Sequence, residues 1–286
     1  MVKIGVTGAD GFLGSRILRF YQDKFDMTGY RHTDMDFTDP EEAEAVLKKD
    51  RPDILIHTAA VSDVAACEQD PERSEKVNVD GVRILAKICR EIGARLIFCS
   101  SDQVYVGNGE REPHREEERI APPTVYGRQK IRAEELALKA QPDTVALRLS
   151  WMFAVDFREG QEHGNLISTV CKARESGDRI RYPVYDLRSI TDVWEVVENL
   201  EIMFHAPAGI YNFGSENDRS TYEVVKEFLE SAGAGSENLE KNEEAFRDHP
   251  RNLRMNIEKV KKLGVRFLTT EEALKKAGTR WKHDPA

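Results

Sequence analysis

The chain has 286 residues, of which 40% are hydrophobic and 33% are charged, and its formal net charge at pH 7 is −9. This length and composition predict a folded protein with a sizeable core. The net negative charge gives no electrostatic reason to expect nucleic acid or an anionic membrane as a partner, so an anionic ligand would need a local pocket of backbone amides and arginines.

The cysteines and the first residues of the chain bear on its location. The cysteines are Cys67, Cys89, Cys99 and Cys171. None forms a CxxC pair and each lies in or near an apolar segment, so we expect buried, reduced thiols and no metal site. The opening sequence MVKIGVTGAD lacks the pattern of a signal peptide, and the longest uncharged stretch, 202–215, is too short to span a bilayer. We therefore expect a cytoplasmic protein.

Short β-rich runs alternate with helix-length segments over the first half of the chain. The predicted strands are 3–7, 27–30, 53–58, 95–100 and 144–149, and the predicted helices are 11–23, 40–50, 71–93 and 126–140. Asp39 or Thr38 is the expected N-cap of the second helix, with Pro40 at its first position. This alternation is typical of parallel βαβ units with helices on both faces of the sheet.

The second half of the chain is less regular. Helices are predicted at 198–206 and 220–233, and a strand at 209–214. We expect a dinucleotide-binding domain over residues 1–150, rejoined by roughly 184–207, and a smaller substrate lobe over residues 151–286. Such a lobe usually covers the carboxyl ends of the strands, where open α/β sheets bind their ligands.

Three glycines stand between the first predicted strand and the first predicted helix. In VTGADGFLGSRI, Gly8, Gly11 and Gly14 have the spacing that provides a tight turn, a close approach to a pyrophosphate and close helix packing. The amides at the helix start would bind the phosphates. This turn predicts a Rossmann-like doubly wound α/β fold that binds a dinucleotide; the alternative is a tight turn without a ligand.

The residues after the second predicted strand bear on the choice of cofactor. Arg31 follows the strand directly and could pair with a 2′-phosphate, with Asp36 and Phe37 flanking the adenine. The alternative is that Arg31 is solvated and Asp34 holds a ribose, as an acid does in many NAD enzymes. We favour NADP(H) over NAD(H). Ala59 and Ala60, after the third strand, leave room for the cofactor.

A Tyr-x-x-x-Lys spacing occurs twice, at Tyr126/Lys130 and at Tyr222/Lys226. On a helix, Tyr126 and Lys130 share a face with a stripe of alanines, which predicts that this pair points inward. Ser100 and Ser101 end the strand just before it, whereas no such strand end precedes Tyr222. The first pair is therefore the candidate for chemistry, and the second is the ordinary start of a capped helix.

The serine, tyrosine and lysine suggest a proton-transfer site. Free tyrosine has a pKa near 10, and we expect the neighbouring Lys130 ammonium to lower it toward the range useful for acid–base work. Lys130 could also bond the nicotinamide ribose. Ser101 would donate a hydrogen bond to a substrate carbonyl as charge develops on its oxygen.

At these motifs the chain resembles the extended short-chain dehydrogenases/reductases, and among them the dTDP-4-dehydrorhamnose reductases. The resemblance is carried by TGADGFLG, SSDQVY, YGRQK, RLSWMF and HPRNLRMNIEKVKKLG. It implies Ser101, Tyr126 and Lys130 as the catalytic set. Gln103 stands where that family usually has Tyr, and 183–193 lacks its Pro-Thr pair, so the reaction type is better defined than the substrate.

The resemblance and the residues together give the expected site. The expected cofactor-binding residues are Gly8, Asp10, Gly11, Phe12, Leu13, Gly14, Arg31, Asp36, Phe37, Ala59, Ala60, Tyr126 and Lys130. The expected substrate residues are Asp102, Gln103, Trp151, Asn165 and Arg254. For Trp151 the alternative is a packed core side chain, and for Asp102 it is the cap of a turn. No metal is expected.

The function expected from the resemblance is reduction of a nucleotide-linked 4-keto-6-deoxysugar by NADPH, with the proton from Tyr126. One alternative is a nucleotide-sugar epimerase or dehydratase that retains NAD. Another is a non-catalytic NADP-binding subunit like the regulatory subunit of methionine adenosyltransferase. The expected partner is the nucleotide sugar, with no nucleic acid or membrane; self-association into a homodimer stays open.

Overall fold

The computed structural model describes residues 1–109, 111–157 and 164–283. The chain divides into two compact units. The first unit comprises Met1–Val106, Arg119–Arg148 and Val197–Tyr211, and the second comprises Gly107–Glu118, Leu149–Val196 and Asn212–Ala286. Each unit has its own buried hydrophobic cluster.

Helices and short strands make up most of the described chain. The strands are β1 (Lys3–Thr7), β2 (Asp26–Tyr30), β3 (Ile54–His57), β4 (Arg95–Ser101), β5 (Val145–Leu149), β6 (Trp151–Phe153), β7 (Ile180–Pro183), β8 (Asp186–Arg188), β9 (Ile190–Asp192), β10 (Gly209–Phe213), β11 (Leu239–Asn242) and β12 (Arg251–Leu253). The α-helices are α1 (Phe12–Tyr21), α2 (Pro40–Asp50), α3 (Val64–Gln69), α4 (Pro71–Glu75), α5 (Val82–Ile92), α6 (Val125–Ala140), α7 (Leu166–Ser176), α8 (Val193–Met203), α9 (Thr221–Ser231), α10 (Glu258–Lys261) and α11 (Thr270–His283). A π-helix spans Lys76–Gly81 and a 3₁₀ helix spans Asp102–Tyr105.

A six-stranded sheet forms the framework of the fold, in the order β10-β5-β4-β3-β1-β2. The pairs β1–β2, β1–β3 and β3–β4 are parallel, with Thr7 opposite His57 and His57 opposite Phe98. Parallel strands end at one edge of a sheet, so the glycine turn after β1 and the serines at the end of β4 follow the same edge. The predicted parallel α/β sheet is confirmed.

Local signals explain where the helices of the first unit begin and end. Asp39 caps α2 by accepting hydrogen bonds from the backbone N–H groups of Glu41 and Glu42, and Pro40 occupies the first turn. Gly93 ends α5 at a φ of +76°, which the absence of a side chain permits. The five strands predicted in the first half of the chain are confirmed to within two residues at each end.

The helix predicted over 71–93 differs from the structure. It consists of α4, the π-helix and α5, because the segment widens at Lys76–Gly81. In this segment Asn78 is buried and makes hydrogen bonds to Val61 and Gln129, outside its own helix. A Cβ on Gly81 would lie 2.6 Å from the Phe37 ring. These inward contacts account for the irregular turn.

Short strands of the second unit pair with partners distant in sequence. The pairs β6–β9, β7–β11 and β8–β12 are all parallel and are three or four residues long. The sequence pattern predicts none of these six strands and neither α3 nor α7. The predicted start of α8 at 198 is wrong, since the helix begins at Val193.

The four cysteines are free and buried, as predicted. Among the described residues no group of three or more His, Cys, Asp or Glu side chains could hold a metal ion. No helix within these described residues has the length and apolar character needed to cross a membrane.

Candidate active site

The glycine turn after β1 is closely packed. Gly8 has a φ of +68°, and its carbonyl oxygen accepts a hydrogen bond of 2.9 Å from the Gly11 N–H. A Cβ on Gly14 would lie 2.2 Å from the Gly8 oxygen, and a Cβ on Gly8 would lie 3.1 Å from the backbone of Ala59. Real Cβ atoms essentially never approach backbone to 2.2 Å, and the positive φ of Gly8 strains any other residue, so the turn favours glycine at both positions.

The N-terminus of α1 fits the phosphate groups of a dinucleotide. Gly11 is the N-cap residue, with extended backbone and no side-chain capping hydrogen bond. The first amides of an uncapped helix are hydrogen-bond donors that, with the helix dipole, attract an anion. Around them Asp10 is exposed, Phe12 is half-buried and Leu13 is buried. The turn and the first amides of α1 thus offer hydrogen-bond donors of the kind that a pyrophosphate needs, and the contact itself stays a prediction.

The loop after β2 presents Arg31 to solvent. Its backbone N–H donates to the carboxylate of Asp34 at 3.0 Å, and both side chains are exposed. The carboxylate of Asp36 accepts hydrogen bonds from the backbone and hydroxyl of Thr38, and these lower the pKa of Asp36. Phe37 is half-buried and lies edge-on to the His57 ring at 5.0 Å. In the structure Asp36 holds the backbone of its own loop and Phe37 packs on His57, and the adenine contact expected of both stays a prediction.

Tyr126 and Lys130 lie on the buried face of α6. The two residues are 6% and 2% exposed, and the Lys130 Nζ lies 5.6 Å from the centroid of the Tyr126 ring. Ala133 and Ala137 continue the same face and are fully buried. Thr124 caps the helix through the Gly127 N–H. The inward direction of this face, predicted from helical periodicity, is confirmed.

Ser101 connects β4 to the Tyr126 phenol. Its hydroxyl lies beside the phenol and lowers the pKa of that phenol, donates weakly to Asp102 at 3.3 Å, and accepts from the Gln103 N–H at 3.2 Å. The Lys130 ammonium donates to the carbonyl oxygen of Cys99 at 3.0 Å. One serine, one phenol and one ammonium therefore meet at the end of β4 within the first unit.

The expectation that Lys130 lowers the pKa of Tyr126 is wrong for this structure. Burial raises the pKa of the Tyr126 phenol above its usual range, and the hydrogen bond with Ser101 opposes this only in part. Burial also lowers the pKa of Lys130 to about 8. Both groups lose hydration, and removal from water favours the neutral form of each. The phenol is consequently protonated at neutral pH.

Asp102 and Gln103 open the 3₁₀ helix next to Ser101. Asp102 is buried, and its carboxylate accepts from the Gln103 side-chain amide at 3.2 Å. Its charge contributes to the raised pKa of Tyr126. Gln103 is half-buried and its amide is turned toward this carboxylate. Both expected substrate residues thus lie directly beside Ser101.

Asn78 is a buried polar residue of this unit that sequence analysis misses. Its side-chain oxygen accepts from the Val61 N–H at 2.9 Å, and its amide donates to the Gln129 side chain at 3.0 Å. Gln129 directly precedes Lys130. Asn78 thereby joins the loop after β3 to the helix of Tyr126 and Lys130. The sequence signal is weak: two poor helix formers, Asn78 and Gly81, inside a predicted helix.

Two expected substrate residues of the second unit have structural contacts. The Arg188 guanidinium lies over the Trp151 ring, 4.6 Å from its centroid. Asn165 caps α7: its side-chain oxygen accepts from the Ile167 and Ser168 N–H groups, and its amide donates to the Ala154 carbonyl oxygen at 3.3 Å. Within the part of the chain that the structure describes, one amide hydrogen of Asn165 is left for a further contact.

Arg254 is bound within the second unit as well. Its Nε donates to the Asn252 side chain at 3.0 Å, its Nη2 donates to the Arg111 carbonyl oxygen, and its Nη1 lies 3.5 Å from Asp218. The guanidinium therefore already bonds the backbone of Arg111. A substrate diphosphate would have to bind the same guanidinium alongside this contact.

The second Tyr-x-x-x-Lys pair has a different environment. Tyr222 is half-buried with the Lys241 ammonium 5.6 Å from its ring centroid, and Lys226 is exposed and pairs with Glu230 at 3.4 Å. A lysine whose charge lies in water on a helix surface contributes little to a neighbouring phenol. The contrast predicted from the sequence between the two pairs is present in the structure.

Known proteins resemble this chain over most of its length. The family model described as RmlD substrate binding domain matches residues 2–282. The spore coat polysaccharide biosynthesis protein SpsK of Bacillus subtilis is 28% identical over 234 residues, which cover 82% of this chain and 80% of that protein. The dTDP-4-dehydrorhamnose reductase of Aggregatibacter actinomycetemcomitans is 25% identical over 243 residues, with coverage of 82% and 80%.

Solved structures share the fold. The dTDP-4-dehydrorhamnose reductase of Bacillus anthracis in complex with NADP has a TM-score of 0.87 at 21% identity and covers 96% of this chain and 98% of its own. The UDP-glucose 4-epimerase of Thermotoga maritima with UDP-glucose has a TM-score of 0.83 at 20% identity and covers 99% of both. At such identities the likeness is one of fold, and it does not separate a reductase from an epimerase.

Proposed function

Because the chain belongs to the RmlD substrate binding domain family, we propose that it is an NADPH-dependent reductase of a nucleotide-linked 4-keto-6-deoxysugar. The observation that carries the proposal is the meeting of Ser101, Tyr126 and Lys130 at the end of β4. The A. actinomycetemcomitans relative, matched over 80% of its length, is a dTDP-4-dehydrorhamnose reductase. A thymidine-diphosphate sugar is accordingly the substrate that we favour.

The first unit supplies a site for NADPH, which when bound would provide the hydride. The amides between Gly8 and Gly14 would hold the pyrophosphate, and the exposed Arg31 would pair with the 2′-phosphate. Asp36, Phe37, Ala59 and Ala60 complete the proposed cofactor residues. The B. anthracis reductase of the same fold is in complex with NADP, which supports the phosphorylated form.

Burial suits Tyr126 to donating a proton. A keto group that accepts hydride becomes an alkoxide, which needs a proton from a nearby acid. Because its pKa is raised, the Tyr126 phenol keeps its proton until such a base forms beside it. The Ser101 hydroxyl would donate a hydrogen bond to the same oxygen, and the Lys130 ammonium would stabilise the phenolate left behind.

The remaining assignments complete the proposal. Asp102 and Gln103 would contact the sugar beside Ser101, and Trp151, Asn165 and Arg254 are the further proposed substrate residues. We assign cofactor binding to residues 1–150, rejoined by roughly 184–207, and substrate binding to the lobe of residues 151–286. A cytoplasmic location and a homodimer belong to the same proposal, and light scattering of the purified protein tests the second.

Oxidation of NADPH tests the function. The purified protein is mixed with NADPH, dTDP-4-keto-6-deoxyglucose and a 3,5-epimerase, and the loss of the nicotinamide absorbance is followed. We expect turnover by the wild type and a loss of at least about 1,000-fold in Tyr126→Phe, the order by which single catalytic groups act. Tyr222→Phe is the matched control, because Tyr222 has the same spacing to a lysine, and its rate should equal the wild type.

The fold shared with the T. maritima epimerase makes a cofactor-recycling enzyme the second candidate. Such an enzyme would co-purify with tightly held NAD and would convert a nucleotide sugar without net consumption of NADPH. That outcome, or no oxidation of NADPH with any nucleotide-linked keto sugar, would reject the reductase.

A further inference from the structure

A buried ion pair lies one turn beyond Lys130 on α6. Glu134 of α6 is 1% exposed and Arg148 of β5 is 3% exposed. Charged residues are almost never so deeply buried unless they are paired. The proposed chemistry makes no use of either side chain, so their presence in the core of the first unit needs another explanation.

The pair has the geometry of a bidentate contact. Arg148 Nε donates to Glu134 Oε1 at 3.0 Å, and Arg148 Nη2 donates to Glu134 Oε2 at 2.7 Å. The same Oε1 accepts from the Ser100 hydroxyl at 2.5 Å. The remaining Arg148 Nη1 donates to the Tyr105 hydroxyl at 2.9 Å, with the guanidinium 5.2 Å from the centroid of that ring.

These contacts join the segments that carry the three proposed catalytic groups. Glu134 lies on the helix of Tyr126 and Lys130. Ser100 directly precedes Ser101 on β4, and Tyr105 ends the 3₁₀ helix that Ser101 caps. Glu134 thus ties α6 to β4 through Ser100, just before Ser101. Arg148, paired with Glu134, ties the same helix to the 3₁₀ helix through Tyr105, just after Ser101.

Stability does not account for the choice of charged residues here. Moving two charges out of water offsets most of their attraction, and apolar side chains of similar volume often replace such pairs without loss of stability. A bidentate pair, however, fixes both distance and angle between two elements, which apolar contacts do not. An active site needs its groups held to within about 0.5 Å.

We propose that Glu134 and Arg148 are positioning residues, which set α6 relative to Ser101 through Ser100 and Tyr105 and so align Tyr126 with the substrate carbonyl. This inference rests on the proposed reductase function. Neither residue touches the substrate. Glu134 also acts on Lys130 through its charge, since it raises the pKa of Lys130 against the effect of burial.

The double variant Glu134→Leu/Arg148→Met tests the proposal, because it removes both charges without leaving one unpaired. We expect Tm to stay within a few degrees, the KM for NADPH to stay within about threefold, and kcat to fall at least about tenfold, since small misplacements of reacting groups slow catalysis strongly. A folded double variant with the kcat of the wild type overturns the proposal.

The control lies on the same helix. Arg132 of α6 pairs with Glu75 of α4 on the solvent side, where the side chains are 63% and 29% exposed. The variant Glu75→Gln/Arg132→Gln removes an ion pair that also joins α6 to a neighbour, and its kcat should equal that of the wild type.

If the buried double variant does not fold, Arg148→Lys replaces it, because lysine keeps the charge but cannot bond Glu134 and Tyr105 together. Its kcat should also fall at least about tenfold.

Two further readouts separate positioning from general damage. In the single variant Glu134→Gln, the fall of kcat/KM at high pH should begin at a lower pH, because the carboxylate that raises the pKa of Lys130 is gone. The second readout needs no substrate: it is the NMR spectrum of the protein with ¹³C-labelled tyrosine rings. The Tyr126 signal, assigned by its loss in Tyr126→Phe, should shift in the buried double variant, while that of Tyr21, which bonds Val197, should not.

These readouts also separate the two proposals. If the wild type reduces no nucleotide-linked keto sugar, the reductase function fails, and the Tyr126 signal alone then decides whether Glu134 and Arg148 position the phenol. An unchanged Tyr126 signal would overturn the positioning role in that case.

Discussion

Replacement of Gly14 by alanine perturbs the dinucleotide turn at its tightest point. The added Cβ would lie 2.2 Å from the carbonyl oxygen and 2.9 Å from the carbonyl carbon of Gly8, and 3.1 Å from the Thr58 hydroxyl. The first two are backbone atoms, and Gly8 cannot retreat freely, because its own Cβ position is 3.1 Å from the backbone of Ala59. To reach ordinary contact, the turn must open by roughly 1 Å.

The size of the effect follows from two opposing contributions. Overpacking a close-packed site costs about 1–3 kcal/mol, whereas alanine in place of glycine inside a helix returns up to about 1 kcal/mol. We expect a net loss of about 1–2 kcal/mol in the free energy of unfolding, which lowers Tm by roughly 2–8 °C. The opened turn also loses one or two amide contacts to the pyrophosphate, each about 1.5–3 kcal/mol, so the Kd for NADPH should rise by about 10-fold or more.

Urea unfolding of the unliganded protein and titration of NADPH fluorescence measure the two effects. Gly109→Ala is the control, because no described atom lies within 4 Å of its Cβ position, and its unfolding free energy should change by less than about 0.5 kcal/mol. A Gly14→Ala variant that matches the wild type in both Tm and Kd would refute the close packing of the turn and its role in binding.

Two predictions concern the charges of the site. Burial lowers the pKa of Lys130 to about 8, so the ammonium required by the proposed chemistry is lost as pH rises through about 8. We therefore expect kcat/KM to be level below this pH and to fall above it. The fall at high pH should be missing in Lys130→Arg, because arginine stays charged. Because the pKa in the folded protein is lower than the ordinary 10.5, unfolding takes up protons between these values, and Lys130 makes stability rise with pH in that window. Arg31→Ala should raise the KM for NADPH at least about tenfold and that for NADH less than about threefold; an equal rise for both would contradict the 2′-phosphate contact.

The first half of the chain is predictable because each element carries its own signal. Buried parallel strands are continuous apolar runs, and the helices between them have caps such as Asp39 and Gly93. The phase of α6 also follows from local sequence, since alanines at 133 and 137 mark the face that approaches the sheet. The grouping of Ser101, Tyr126 and Lys130 depends only on such elements, and it could be inferred without coordinates.

The structural features that the sequence does not predict depend on contacts with residues distant in the chain. The strands of the second unit are three or four residues long, and β8 pairs with β12 across more than sixty residues, so their own sequences carry little periodicity. The π-helix at Lys76–Gly81 and the ties of Arg254 to Asn252 and Arg111 have the same origin. The ion pair of Glu134 and Arg148 joins a helix to a strand, and neither segment's own sequence identifies the other as its partner.

Burial of the phenol changes how the site works. Had the Lys130 ammonium lowered the pKa of Tyr126, the phenolate would stand ready to remove a proton from an alcohol, as oxidation requires. In this structure burial raises the pKa of Tyr126 and lowers that of Lys130 to about 8, so at neutral pH the phenol is protonated while the ammonium keeps its charge. This combination favours proton donation from the Tyr126 phenol to a newly formed alkoxide, because an alkoxide is a stronger base than the phenolate. The Lys130 ammonium then stabilises the phenolate that remains. A protonated phenol beside a charged lysine is the state of the free protein that the proposed reduction requires.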